Sequence, residues 1–128
     1  MEGKSKEQAD ADLKKSLAIL AKEVDPKKIY LLQISDAYKL PKPITEADKE
    51  GLRPRGQWSH DFRPLPFNGG YLPVVDVARA VLETGFRGWF SYEVFDGGPE
   101  GKGKSVDLEE FAREARKSQE KLLEECAK

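Results

Sequence analysis

Two polar residues stand inside otherwise apolar runs, and both have side chains able to ligate a metal or hold a proton. Gln33 lies within Ile29-Tyr30-Leu31-Leu32-Gln33-Ile34, and Glu93 within Trp89-Phe90-Ser91-Tyr92-Glu93-Val94-Phe95. A buried carboxylate is costly unless it is paired or bound to a metal. Glu93 is therefore either the partner of a neighbouring Lys or Arg or a ligand, while Gln33 by itself reads as a hydrogen-bonded amide. Asp36 follows the first run, where the catalytic groups of α/β folds gather; a turn-capping aspartate is the plainer alternative. Ser59-His60-Asp61 has the residue types of a catalytic triad, but adjacent residues point in different directions and cannot align as nucleophile, base and orienter. Four residues after Ser59 comes Arg63, whose planar guanidinium suits a carboxylate or phosphate, against the alternative of an ordinary surface arginine. Gly98-Pro-Glu-Gly-Lys-Gly-Lys-Ser105 fits the spacing of a phosphate-binding loop between a strand and a helix. This nucleotide-binding module ranks second, because no further strand follows to supply an acidic magnesium partner.

The elements that would position these groups are legible from periodicity. Leu13, Leu17, Leu20 and Val24 recur at helical spacing, with Asp10 or Asp12 as cap and Asp25-Pro26 as terminator. The run 29–34 reads as a strand buried on both faces, as in parallel sheets. Residues 37–72 show no period and hold five prolines and four glycines. Irregular loops beyond about 15 residues are uncommon unless functional or disordered, and Trp58, Phe62, Phe67 and Tyr71 favour a packed loop on the active face. Pro73 opens a second helix with Val74, Val77, Ala78 and Val81 inward and Gly85 as C-cap. A strand at 89–95 and a helix from Asp107, with Glu110 in capping-box position, complete the chain. Leu108, Phe111, Ala115, Leu122 and Cys126 mark that helix's inner face. Residues 1–9 are polar and expected to fray. Strands alternating with helices imply parallel βα units, here as one partial domain over 1–128.

The totals limit the partners. The 128 residues carry 22 basic and 23 acidic side chains, a net charge of −1, so neither nucleic acid nor an anionic membrane is expected to bind. The lone Cys126 forms no internal disulfide and fits a reducing, cytoplasmic setting. No run approaches the ~20 apolar residues of a membrane span.

The segments KIYLLQISDA and WSHDFRPLPFNGGYLPVVDVARAVLETGFRGWFSYEVFDGG resemble the C-terminal region of xylose-isomerase-like sugar phosphate isomerases and epimerases, with the 3-dehydroshikimate dehydratase branch the nearest likeness. The combination is specific: a strand ending Q-x-S-D, a W-S-x-x-x-R loop, a Y-L-P helix start and a G-W-x-S-x-E-x-F strand. The resemblance implies a (β/α)8 TIM barrel, of which this chain would be about the last quarter, its barrel incomplete. It implies a divalent metal (Mg, Mn, Co or Zn) with Gln33 and Glu93 among the ligands, and Ser59 and Arg63 on a hydroxy-keto or sugar-like substrate. Asp36 and His60 are possible additions. The chemistry implied is proton removal beside a ketone, with loss of water in a dehydratase and reprotonation in an isomerase. The other ligands, a Glu and an Asp, and the base would come from earlier strands. The chain alone is then expected to hold metal weakly or not at all, to be inactive, and to associate with itself or with a missing barrel half. A non-catalytic remnant that binds a partner is the remaining alternative.

Overall fold

The computed structural model describes residues 5–128; the expected fraying of residues 1–4 lies outside them. Residues 6–9 are not frayed. Helix α1 spans Lys6–Glu23, and its N-cap is Ser5, whose hydroxyl accepts the Gln8 amide (3.2 Å), so neither Asp10 nor Asp12 caps it. Ser5-x-x-Gln8 has the form of a capping box. A short 3-10 turn, Pro26–Lys28, leads into strand β1, Leu31–Ile34.

The long connection that followed in the sequence as an irregular loop carries two elements: helix α2, Pro54–Asp61, and strand β2, Phe62–Arg63. Helix α3 covers Val74–Glu83 and ends where Gly85 adopts φ 96°, a left-handed turn that a side chain would oppose. Strand β3 is Trp89–Tyr92 and stops short of residue 95; the chain turns after Glu93 and forms a separate strand, β4, Phe95–Asp96. Helix α4, Leu108–Cys126, begins at Asp107, whose carboxylate accepts the Glu110 amide at 2.8 Å.

β1 and β3 pair in parallel, with Leu31 opposite Trp89 and Gln33 opposite Ser91. Both helices that follow the strands pack on one face. Ile34, Val74, Ala78 and Leu122 form the core, with Leu32, Phe90 and Tyr92 against it. Ser118 on α4 ties that layer to the loop, donating to the Pro66 carbonyl at 2.8 Å and meeting the Tyr92 hydroxyl at 3.2 Å. The expectation that β1 is buried on both faces fails: Leu31 is 49% exposed and Trp89, its neighbour, 80%. Leu108 is likewise on the outside of α4, 81% exposed, and is not part of its inner face. Among the described residues the sheet has two strands and no closed barrel, so one sheet face and both outer edges are bare.

Candidate active site

Arg63 is set by backbone on both sides. α2 starts at Pro54, which tolerates a first-turn position, and Gln57 secures it by donating to the carbonyls of Glu46 and Leu52, both at 2.8 Å. The helix stops at Asp61 and runs straight into β2. There Arg63 faces Phe95 in an antiparallel pair with β4, extended by the Gly97 amide on the Asp61 carbonyl (2.7 Å). On the opposite side the Asp36 amide donates to Pro64 O (3.1 Å) and the Tyr38 amide to Phe62 O (3.0 Å). Residues 62–64 are therefore the middle of three extended segments.

This frame brings three of the expected residues together. Arg63 Nη2 meets Glu93 Oε2 at 2.5 Å and the Glu93 carbonyl at 3.3 Å, while Nη1 reaches Ser59 Oγ at 3.4 Å. The guanidinium also lies over the Phe95 ring, 4.9 Å from its centroid. Its side chain is 14% exposed against 46% for Glu93, so a mostly covered cation presents its partner to solvent. Arg63 Nε is buried without an acceptor. Of the two alternatives for Glu93, pairing with a basic neighbour is the one present in this structure. Such a cluster can hold an oxyanion or a carboxylate beside a second, exchangeable carboxylate.

Gln33 stays outside the cluster. It is exposed, in register with Ser91, and makes no side-chain hydrogen bond among the described residues. The Glu93 amide continues the ladder by donating to Ile34 O at 3.1 Å. With Ile34 in the core, alternation places Gln33, Ser91 and Glu93 toward the bare face. As for a metal, no group of three or more His, Cys, Asp or Glu able to hold an ion occurs among the described residues. Gln33 and Glu93 are two donors, one already engaged by Arg63, and two do not make a divalent site.

Asp36 is not part of the cluster. It is 4% exposed, and its Oδ1 accepts the amides of Ala37 (2.8 Å) and Leu72 (2.9 Å), which is the capping role. His60 is exposed and stacks on Phe95 (centroids 5.9 Å apart, planes at 19°). The Ser59 hydroxyl is bonded to Arg63, so no triad forms.

The phosphate-loop lookalike is closed on itself. Gly98 N donates to Asp96 Oδ1 (2.9 Å), Gly101 N to Gly98 O (3.0 Å) and Gly103 N to Gly97 O (3.1 Å). Lys104 is held by Asp96 Oδ2 at 2.9 Å. Three glycine amides of the motif and its lysine are thus spent internally, and the nucleotide-binding alternative is not favoured. They belong to a network that sequence reasoning missed. The Tyr38 hydroxyl donates to Asp96 Oδ1 (3.0 Å), and burial, with Asp96 adding to it, pushes its pKa up to about 12. Burial also acts to raise Asp96, but the Lys104 ammonium, the Gly98 amide and the Tyr38 hydroxyl outweigh it and hold the carboxyl below its usual value. The available signal was Asp96-Gly-Gly, the pattern of an aspartate that hydrogen-bonds its own backbone two residues on.

The chain matches the xylose isomerase-like TIM barrel family over residues 6–124. It is 34% identical over 120 residues to a 3-dehydroshikimate dehydratase of Neurospora crassa, an alignment covering 88% of this chain and 33% of that enzyme. The chain thus spans about a third of the length of this curated relative. A solved structure, a xylose isomerase-like TIM barrel/4-hydroxyphenylpyruvate dioxygenase fusion protein, superposes with a TM-score of 0.48 at 24% identity, over 80% of this chain and 15% of that one. The parallel β1–β3 pair, the helices on one of its faces and the family match over nearly the whole chain agree: this chain belongs to the xylose isomerase-like TIM barrel family.

Proposed function

We propose that this chain supplies the Arg63–Glu93 portion of a lyase or isomerase site of the 3-dehydroshikimate dehydratase kind, acting on a hydroxy-keto or sugar-like acid through an enolate next to a ketone. The observation that carries the reading is the Arg63 guanidinium. It is fixed by Glu93, Ser59 and the Phe95 ring at the edge of an uncovered sheet face. A guanidinium held on one side by a solvent-facing carboxylate is preorganised to exchange that carboxylate for one on a ligand. Ser59, four residues away on α2, adds a hydroxyl that can turn toward a substrate oxygen. Gln33 and Glu93 line the same face as two of the donors of a divalent-metal site. A cation completed there by other strands would supply Lewis-acid polarisation of a carbonyl. The barrel strands that would carry the remaining donors and the base are the proposed partner of this chain.

The test joins this chain to the remaining two thirds of the Neurospora dehydratase, as a fusion or by co-expression, and follows loss of water from 3-dehydroshikimate. The chain alone should show no turnover, the completed barrel should show turnover, and Arg63→Met should lower kcat/KM by about a hundredfold. Full turnover by a monomer of this chain, or a completed barrel indifferent to Arg63→Met, would defeat the reading.

A further inference from the structure

The loop that carries Ser59 and Arg63 leaves the sheet after β1 and returns to it before α3, and both its ends meet at one side chain. Asp36 Oδ1 accepts the Ala37 amide at the exit (2.8 Å) and the Leu72 amide at the return (2.9 Å), across 36 residues of chain. The Tyr71 amide closes the same neck by donating to Ala37 O at 3.0 Å. The carboxyl is 4% exposed and sits against Gly70 so closely that a methyl group there would overlap it. The backbone of this same segment holds β2, through Asp36 N on Pro64 O (3.1 Å) and Tyr38 N on Phe62 O (3.0 Å). The residue between those two acceptors is Arg63.

We propose that Asp36 is a positioning residue: its carboxylate clasps the neck of the 37–72 loop and, through the extended segment 36–38, sets the Arg63 guanidinium against Glu93. The inference rests on the reading of Arg63 as a substrate-holding group for its functional meaning, but not for its geometry. The two acceptor bonds need an oxygen and not a charge, because both donors are backbone amides. Asparagine at this position therefore preserves the clasp, and alanine removes it. Removing it leaves the buried Ala37 amide and the half-buried Leu72 amide without their acceptor and frees the neck. The displacement reaches Arg63 first, since its segment is the one bonded to 36–38. α1 packs on α3 and takes no part in the hydrogen bonds of the neck, so its own helical bonds should stay intact.

Arg63 Nε–H is buried and gives a local readout by nitrogen–proton NMR of the full chain. In Asp36→Ala its hydrogen exchange should accelerate by about tenfold, with α1 amides unchanged, and Asp36→Asn should restore the native rate. Gly70→Ala, which pushes the carboxyl aside without deleting it, should reproduce the alanine effect and decides the matter if Asp36→Ala does not fold. An unchanged Arg63 signal in the folded variants would overturn the proposal. So would equal loss of protection in α1, or failure of both variants to fold, since each makes Asp36 a general stability residue. Arg63→Met in the completed barrel separates the two readings: unaltered turnover there defeats the substrate role of Arg63 and leaves the clasp standing.

Discussion

The eight residues of the β1–β3 sheet divide four to each face, and the two faces differ in all else. One face carries Leu32, Ile34, Phe90 and Tyr92 under α3 and α4. The other carries Leu31, Gln33, Trp89 and Ser91, and has no covering layer among the described residues. Parallel strands are ordinarily buried on both sides, and the apolar residues of the bare face are those of a strand built for enclosure. The polar residues of the candidate site, Gln33 and Glu93, fall on that bare face, and Arg63 reaches its rim. The covered face stabilises the chain; the uncovered one carries the candidate groups and has no second layer among the described residues.

Cutting into the covered face should have the largest effect. Leu122, 1% exposed, has no room to lose methyl groups without leaving a void, and Leu122→Ala should cost about 3 kcal/mol in urea unfolding. A loss below that of a surface substitution would mean α4 is not part of the cooperative unit. At the rim, a double-mutant cycle of Arg63→Met and Glu93→Gln should give a coupling of about 1 kcal/mol. That is modest because Glu93 is 46% exposed and hydrates well once released. Zero coupling would remove the ion pair as the element holding the guanidinium.

A smaller effect should follow from pH. The Asp96 carboxyl titrates below its ordinary 3.8 in the fold. The unfolded chain thus takes up that proton more readily, and the contribution is fully present above the ordinary value. It fades as pH falls through the lower folded one. Asp96→Asn should flatten that acid limb of the stability curve, and an unaltered limb would assign it to other carboxylates. The smallest change in stability should come from the bare face itself. Trp89→Gln should shift unfolding by no more than about 0.5 kcal/mol, because its ring is already 80% exposed. The same variant should weaken self-association in sedimentation, since exposed apolar surface and open strand edges promote it. A large stability loss instead would show that the face is covered.

Where the sequence was readable, local and repeating signals agreed with tertiary demands. α3 shows it, with Pro73 before it, valines at helical spacing within it and Gly85 after it. The Asp107 cap of α4 and the parallel pairing of the two apolar runs followed in the same way. α2 was invisible because PRGQWSHD has a glycine inside and no apolar stripe; Gln57 and the contact of Gly56 with Leu52 hold it, and neither has a period. β3 was overestimated because an apolar run cannot show where the chain turns between Glu93 and Phe95. For the site, residue types singled out Arg63 and Glu93, while Ser59 and the expected roles of all three came from the family resemblance. The sequence could not show that Arg63 and Glu93 pair with each other, because that depends on β2 lying beside β4. The Tyr38–Asp96–Lys104 network joins three regions and has no sequence pattern beyond one aspartate turn.

The Asp36 clasp also bears on the order in which the chain assembles. β1 ends at Ile34 and β3 begins at Trp89, so pairing them directly means closing residues 35–88 into one loop. Once Asp36 has gathered Leu72, residues 37–71 between them no longer count toward that closure. The effective loop falls to roughly a third, which lowers the entropic barrier to strand pairing by about 1 kcal/mol. The neck of the loop would then form ahead of the sheet, and a side chain that touches no ligand would set how quickly the two strands find their register.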